Sequence, residues 1–226
     1  MSERELERIR TEYAARDAAA ETPYRWDNPG YVSYLQSVER ALLRGLADAG
    51  VALSGLRVLD VGCGTGYFLD RLREYGAGEC HGIDLLENRI AEARRRYPAL
   101  EWHVGSATKL PFDDGEFDLV AQFACLSSIV DRDARARSAR EMRRVAGPGW
   151  VLSFDLLRPS RPRPGGTPTV GLDRGELRAL FGEPRLLRRV ALRFDVAQLA
   201  GRHALVAQLL ELAPPLRSHL LGIWSG

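Results

Sequence analysis

Three glycines at every second position follow an acidic residue in the segment Asp60-Val61-Gly62-Cys63-Gly64-Thr65-Gly66. Glycine has no Cβ and tolerates positive φ, so such a backbone can turn tightly and lie directly against a ligand. A helix is predicted to begin at the end of this segment, and the first N–H groups of a helix are free to donate hydrogen bonds. The segment therefore predicts a nucleotide-binding turn.

A second carboxylate, that of Asp84, lies at a position suited to binding a ribose. Asp84 ends the next predicted strand, and a carboxylate there can accept hydrogen bonds from both ribose hydroxyls. A glycine turn alone is also compatible with a plain tight turn, but Asp60 and Asp84 together favour a nucleotide site. The dinucleotide fingerprint G-x-G-x-x-G needs a glycine where Tyr67 stands, which argues against a dinucleotide.

The charge of Asp60 also separates the candidate ligands. A pyrophosphate is an anion, whereas the methionine end of S-adenosylmethionine carries an ammonium and a sulfonium. Asp60, at a strand end, is placed to attract that cationic end directly or through water. The charge of Asp60 therefore favours S-adenosylmethionine, whose product after methyl transfer is S-adenosylhomocysteine, over a dinucleotide.

Four segments, in order along the chain, resemble motifs of the class I S-adenosylmethionine-dependent methyltransferases that act on small molecules. They are residues 58–66, 81–85, 110–120 and 141–150, and the resemblance covers about residues 56–157. It implies a Rossmann-like fold and an enzyme that transfers a methyl group from S-adenosylmethionine.

The resemblance also implies where the cofactor contacts lie. Asp84 takes the ribose position, and Gln122 and Phe123 follow the fourth strand, where the family often contacts the methionine moiety. Many members bind the adenine amino group with an Asp after the third strand; here Ser106 or the backbone of Ala107 would make that contact. The expected cofactor-binding set is Asp60, Gly62, Cys63, Gly64, Gly66, Asp84, Leu85, Ser106, Ala107, Gln122, Phe123, Tyr24 and Trp26.

An aromatic patch precedes the second predicted helix and contains Tyr24, Arg25, Trp26 and Tyr31. We hypothesise that it folds over the sulfonium and the methyl acceptor, because aromatic faces attract cations and shield them from water. Tyr24 is accordingly a candidate catalytic residue. The alternative is that the patch fastens the N-terminal helices to the rest of the chain.

Asp155, at the end of the fifth predicted strand near Arg158, is the second candidate catalytic residue. Methyl transfer from a sulfonium mainly requires alignment and exclusion of water, and a base is needed only where the acceptor must lose a proton. Asp155 could be that base, or simply a satisfied loop carboxylate. Asp131, after Ser127 and Ser128, could also be a base, but Asp at a helix start is more often an N-cap.

The histidines and cysteines give weaker signals. His81 and His103 lie inside predicted strands as core or sheet-face residues, and His219 lies near the last predicted strand. None of the histidines pairs with Cys or Asp at metal-ligand spacing, so no metal site is expected. Cys63 is expected to be a small filler residue in the turn, not a nucleophile.

From residue 56 onward, apolar runs alternate with helical patterns, as strands and helices do in a parallel α/β fold. The sequence predicts a Rossmann-like α/β fold: a seven-stranded, mostly parallel sheet with helices on both faces. Residues 1–50 read as an N-terminal helical cap or lid, and residues 51–226 as the S-adenosylmethionine-binding domain. Residues 158–168, rich in Pro, Gly and Arg, are expected to form a loop.

The composition limits the classes of binding partner and the cellular location that are expected. The net charge of the 226 residues is +2, with no basic stripe, so nucleic acid is not an expected partner. No long apolar run or apolar leader is present, so neither membrane insertion nor secretion is expected, and three cysteines without CxxC spacing suit the cytoplasm. The expected partner is a small-molecule methyl acceptor, with the protein a monomer or homodimer.

The leading hypothesis is methyl transfer to an O, N or C nucleophile of a small molecule, such as a natural product or a sugar. One alternative is a nicotinamide-dependent oxidoreductase, which Tyr67 argues against. Another is a non-catalytic S-adenosylmethionine-binding protein.

Overall fold

A computed structural model describes residues 3–18, 24–158 and 169–226. Within them the helices are Glu3–Ala18 (α1), Pro29–Ala49 (α2), Tyr67–Glu74 (α3), Glu87–Arg96 (α4), Cys125–Ser128 (α5), Arg132–Ala146 (α6), Arg174–Phe181 (α7), Phe194–Ala200 (α8) and Ala204–Glu211 (α9). The strands are Val58–Val61 (β1), Cys80–Asp84 (β2), Glu101–Val104 (β3), Leu119–Phe123 (β4), Trp150–Leu156 (β5), Leu186–Leu192 (β6) and Arg217–Ser225 (β7).

The strands form one seven-stranded sheet in the order β3-β2-β1-β4-β5-β7-β6. Only β7 runs against its neighbours, and separate apolar clusters cover the two faces. The predicted Rossmann-like, mostly parallel α/β fold is therefore confirmed. The strand order reverses between β1 and β4, and in open α/β sheets ligands bind beyond the carboxyl ends of the strands at such a point.

Local signals explain the limits of α2, which packs on one face of the sheet. Asn28 caps its first turn by accepting hydrogen bonds from the N–H groups of Gly30 and Tyr31. Gly50 ends the helix with a φ of 77°, a conformation in which a side chain would be strained. Between these ends Val38 and Leu42 are buried in the apolar cluster on this face.

The structure differs from the sequence prediction near the C-terminus. The helix predicted over residues 198–213 is two helices, because α8 ends against α2: a Cβ on Gly201 would lie 2.6 Å from Gly30 Cα. The strand predicted to reach residue 196 ends at Leu192, after Ala191 adopts a φ of 57°. No helix in the described ranges is long and apolar enough to span a bilayer.

Two predictions concern segments that are only partly described. Of the predicted loop at residues 158–168, residues 159–168 lie outside the described residues, as do residues 19–23 between the two N-terminal helices. The division of the chain after residue 50 stays a prediction.

Candidate active site

The glycine turn connects β1 to α3 and has three positive φ angles. They are 73° at Gly62, 56° at Gly64 and 90° at Gly66. A Cβ on Gly62 would lie 2.7 Å from the sulfur of Cys125, and one on Gly66 would lie 2.4 Å from the Trp102 ring. A Cβ on Gly64 would meet nothing closer than 3.8 Å. Two of the glycines thus serve internal packing, and Gly64 leaves an open face against which a ligand can lie.

Asp84 ties this turn to the end of β2. One carboxylate oxygen accepts a hydrogen bond from the N–H of Gly64 at 2.9 Å, and the other accepts one from the N–H of Leu86 at 2.9 Å. A carboxylate oxygen has a second lone pair, so the group can accept further hydrogen bonds. Asp84 therefore shapes the turn, and its contact with a ribose stays a prediction.

Asp60 is buried directly beneath the turn. It is 1% exposed, and its Oδ1 has no hydrogen-bond partner among the described residues. Burial, followed by the nearby charge of Asp84, raises the pKa of Asp60 to about 8. A buried acceptor without a partner costs on the order of 1–3 kcal/mol. This oxygen suits a cationic hydrogen-bond donor, as the ammonium of S-adenosylmethionine is.

The side chain of Gln122 is engaged by other protein groups at the end of β4. Its side chain is fully buried; its Nε2 donates to Ser153 at 2.6 Å and to Asp155, and its Oε1 accepts from the N–H of Cys125 at 2.8 Å. The amide is thus engaged by protein groups and starts α5, the short helix that sequence reasoning missed. A direct contact with the methionine moiety remains an untested prediction that this arrangement does not favour.

Asp155 belongs to the same buried cluster. It has no exposed surface; one oxygen accepts from Ser153 at 2.8 Å and the other from the N–H of Ser127 at 2.9 Å. Burial raises the pKa of Asp155 and outweighs these hydrogen bonds. A carboxylate so enclosed supports the end of β5 and α5, so its proposed contact with an acceptor would require the cluster to open.

Helix α1 contacts the segment after β4 and helix α4. Glu5 accepts a hydrogen bond from the N–H of Val130 at 2.7 Å, and the hydroxyl of Tyr13 lies 2.7 Å from that of Ser128. The guanidinium of Arg89, on α4, stands 4.4 Å from the Tyr13 ring centroid. The helix therefore connects the end of β4 with the helix that follows β2.

A closed series of ring contacts, here called the aromatic circuit, borders the glycine turn at the carboxyl ends of β4 and β5. Each ring contacts two others, at centroid distances from 4.2 to 6.2 Å. In order around the circuit the rings are Tyr24, Phe194, Tyr34, His219, Phe154, Phe123, Phe68, Tyr67, Trp26 and Tyr31.

The circuit brings the predicted aromatic patch to the site. The Trp26 ring, 55% exposed, lies 5.2 Å from the ring of Tyr67, the residue that follows the glycine turn. Tyr24 packs on Tyr31 and Phe194. The contacts are compatible with both hypotheses for the patch. They attach α2 to the core, and they also place aromatic rings beside the glycine turn, where the acceptor is expected.

The remaining residues of the predicted cofactor-binding set make few polar contacts with other side chains. Ser106 Oγ lies 2.9 Å from the hydroxyl of Thr108, while Leu85 and Ala107 are partly buried beside the turn. Cys63 is buried, which raises the pKa of its thiol far above the ordinary value. The cofactor contacts of these residues stay predictions.

Several side predictions can also be located. Asp131 caps α6 by accepting from the N–H of Ala134 at 2.9 Å. His81 and His103 stack on the sheet at 5.5 Å. Arg25 is exposed and pairs with Asp27. Across the described parts of the chain, no cluster of three or more His, Cys, Asp or Glu residues could hold a metal ion.

Sequence reasoning missed one polar pair, Tyr34 and His219. The Tyr34 hydroxyl lies 3.2 Å from His219 Nε2, although 185 residues separate the two along the chain. His219 Nδ1 lies 3.0 Å from the hydroxyl of Ser218. No local pattern links residues so far apart, and only the antiparallel return of β7 brings them together.

Comparison with known proteins agrees with this geometry. Residues 58–149 match a methyltransferase domain family. The 2-phytyl-1,4-beta-naphthoquinone methyltransferase of Arabidopsis thaliana is 38% identical over 113 residues, which cover 46% of this chain and 42% of the relative. The norajmaline N-methyltransferase of Rauvolfia serpentina is 36% identical over 107 residues, covering 43% and 35%. The chain thus spans less than half the length of these relatives.

Among solved structures, the magnesium protoporphyrin IX methyltransferase of Synechocystis PCC 6803, determined with bound S-adenosylmethionine, shares the fold. Its TM-score is 0.62 at 16% identity, over 98% of this chain and 91% of that one. The matched domain, the sheet order and the glycine turn agree in indicating a methyltransferase domain of the S-adenosylmethionine-dependent type over residues 58–149.

Proposed function

We propose that this protein is an enzyme that transfers a methyl group from S-adenosylmethionine to an O, N or C nucleophile of a small molecule. The observation that carries the proposal is the unpartnered oxygen of Asp60 beneath the open face of Gly64. A buried carboxylate next to an exposed stretch of backbone is suited to a ligand that is cationic at one end and a nucleoside at the other.

The cofactor would lie across the end of the β1–β2 pair. Asp60 would face its ammonium, Gly64 would lie against it, and Asp84 with Leu85 would hold the ribose. Helix α1 would cover it, since Tyr13 contacts both Ser128, which follows β4, and Arg89 on α4. When bound, S-adenosylmethionine supplies an electrophilic methyl group on a sulfonium. The protein's tasks are then to align the nucleophile and to exclude water.

The acceptor would lie beside the aromatic circuit. Trp26 and Tyr24 can shield a sulfonium from water and attract it through their ring faces. The named relatives act on a phytyl-naphthoquinone and on norajmaline; these names support a small organic acceptor, such as a natural product of secondary metabolism. We further propose a cytoplasmic monomer or homodimer, a location that suits the free Cys63, Cys80 and Cys125.

Isothermal titration calorimetry with S-adenosylmethionine, S-adenosylhomocysteine and NADH tests the proposal. We expect the first two to bind and NADH not to bind. Asp84→Asn should weaken cofactor binding by about 1–3 kcal/mol if the carboxylate holds the ribose. Binding of NADH alone would instead indicate the oxidoreductase. If S-adenosylmethionine binds but no S-adenosylhomocysteine forms with hydroxylated, aminated or carbon-acid acceptors, the protein is a binding protein.

A further inference from the structure

The carboxyl edge of the sheet holds a second set of polar groups besides the Asp155 cluster. His219 is only 3% exposed, yet both ring nitrogens lie near hydroxyls, Nε2 at 3.2 Å from Tyr34 and Nδ1 at 3.0 Å from Ser218. Its ring stacks on Phe154 at 4.5 Å with an interplanar angle of 12°. A buried imidazole fixed in this way has a defined orientation.

The surroundings of His219 are apolar on the strands beside it. In the sheet it is opposite Leu156 of β5 and Val190 of β6. From α2 it is faced by the phenol of Tyr34, whose ring in turn packs on Phe194 of α8. The imidazole therefore has apolar neighbours in the sheet and a phenol from α2 beside it.

The pair is also well placed relative to the proposed cofactor site. Tyr34 and His219 are members of the aromatic circuit. The circuit also contains Phe123 and Tyr67, and Tyr67 directly follows the last glycine of the turn. Tyr34 is partly exposed, whereas His219 is buried behind it. Tyr34 is therefore the more accessible member of the pair.

We propose that Tyr34 and His219 together accept the proton of a planar hydroxyaromatic methyl acceptor that binds within the aromatic circuit. The inference rests on the proposed function and specifies its substrate class. Flat aromatic faces favour a planar ring as occupant. A phenolic hydroxyl gives up its proton to an imidazole far more readily than the aliphatic hydroxyl of a sugar does.

The proton transfer balances as follows. The acceptor oxygen forms a bond to the methyl carbon while the methyl–sulfur bond breaks, and that bond's electron pair stays on the sulfur, which becomes a neutral thioether. The acceptor proton passes to the oxygen of Tyr34 as the Tyr34 proton passes to His219 Nε2. The resulting imidazolium donates from Nδ1 to the hydroxyl of Ser218, which positions the ring.

The closed state of Asp155 strengthens the assignment. The predicted base has no exposed surface, and both of its oxygens accept hydrogen bonds from protein groups. Tyr34, by contrast, is partly exposed at the same edge of the sheet. We therefore assign the proton-accepting role to Tyr34 and His219 and not to the buried carboxylate of Asp155.

The test uses 4-nitrophenol, whose phenolate absorbs visible light and whose phenol form does not. The 226-residue protein is titrated with it below the pKa of free 4-nitrophenol, with and without saturating S-adenosylhomocysteine. We expect wild-type protein to raise the phenolate fraction of the bound probe at least about threefold over that of the free probe. Tyr34→Phe, which keeps the ring, and His219→Gln should abolish the increase.

Two controls separate proton acceptance from packing. 4-Nitroanisole has no proton to give, so Tyr34→Phe should bind it as wild type does. His203→Asn changes an exposed histidine and should leave the phenolate signal intact. No binding of 4-nitrophenol, no phenolate increase in wild type, or an increase that persists in Tyr34→Phe would overturn the proposal. Failure of S-adenosylhomocysteine to bind, measured separately by calorimetry, would instead overturn the proposed function.

Discussion

The glycine turn and the aromatic circuit meet at Tyr67, yet they are built in opposite ways. The turn consists of consecutive residues whose backbone conformation forms the site, with positive φ at Gly62, Gly64 and Gly66. The circuit consists of side chains from the segment before α2, from α2, α3 and α8, and from β4, β5 and β7, and its members range along the chain from Tyr24 to His219. One half depends on backbone geometry and a buried carboxyl group, and the other on ring packing.

This difference indicates which half can vary. A backbone cradle tolerates almost no substitution at its glycines, because a single Cβ either strains φ or occupies the ligand's place. In the aromatic circuit, one ring can be replaced by another of similar size at a modest cost in stability. The turn is thus suited to a cofactor that stays the same, and the circuit to an acceptor that differs between relatives.

The largest expected effect is on the packing of the turn. Gly66→Ala would place a Cβ 2.4 Å from the Trp102 ring at a φ of 90°, so we expect a loss of about 3 kcal/mol in the free energy of unfolding. Urea denaturation measures it. Gly50→Ala is the matched control, because Gly50 has a φ of 77° with no neighbour within 4 Å and should cost only about 1 kcal/mol. Equal losses would show that the ring contact does not constrain the turn.

The next effect concerns the buried carboxyl group of Asp60 in the cofactor half. Asp60→Asn should weaken S-adenosylmethionine binding by about 2 kcal/mol, roughly thirtyfold, because it removes a charge-assisted hydrogen bond. Since the pKa of Asp60 is about 8, the free protein holds this proton at neutral pH, and a bound ammonium should expel it. Calorimetry in buffers of different ionisation enthalpy should therefore detect proton release in wild type and none in Asp60→Asn.

The same carboxyl predicts how stability changes with pH. Its folded pKa lies above the unfolded value of about 4, so between about pH 4 and pH 8 the folded state binds more protons. Without ligand, the contribution of Asp60 to the free energy of unfolding should fall as the pH rises through that window. Asp60→Asn should remove this contribution. A slope unchanged by the substitution would contradict the pKa assigned to Asp60.

A smaller effect distinguishes the ligand-facing glycine from its neighbours. A Cβ on Gly64 meets nothing within 3.8 Å, so Gly64→Ala should destabilise the fold no more than Gly50→Ala does. It should nevertheless weaken S-adenosylmethionine binding by about tenfold, because the added methyl occupies the open face. Unfolding and calorimetry on the two variants provide the comparison, and undiminished binding would place the cofactor elsewhere.

The two halves also differ in how far sequence could predict them. The spacing of Gly62 to Gly66 and the strand end at Asp84 are local, so the turn between β1 and α3 could be located from the sequence. The burial of Asp155 and the pairing of Tyr34 with His219 depend on β5 and β7 lying side by side. Periodicity indicates that a strand exists, but the antiparallel return of β7 is set by tertiary packing, which no short pattern encodes.

The smallest expected effect concerns α1, which contacts the segment after β4 and Arg89 on α4. Arg8 and the N–H of Val130 hold the pKa of Glu5 below its ordinary value. Such a carboxylate adds stability above its unfolded pKa and loses it as the pH falls through the folded one. Glu5→Gln should loosen α1 by about 1 kcal/mol at neutral pH and by less in acid. Amide hydrogen exchange of α1 measures this, with exposed Glu7→Gln as the control. Equal exchange in both variants would show that α1 is held by its other contacts.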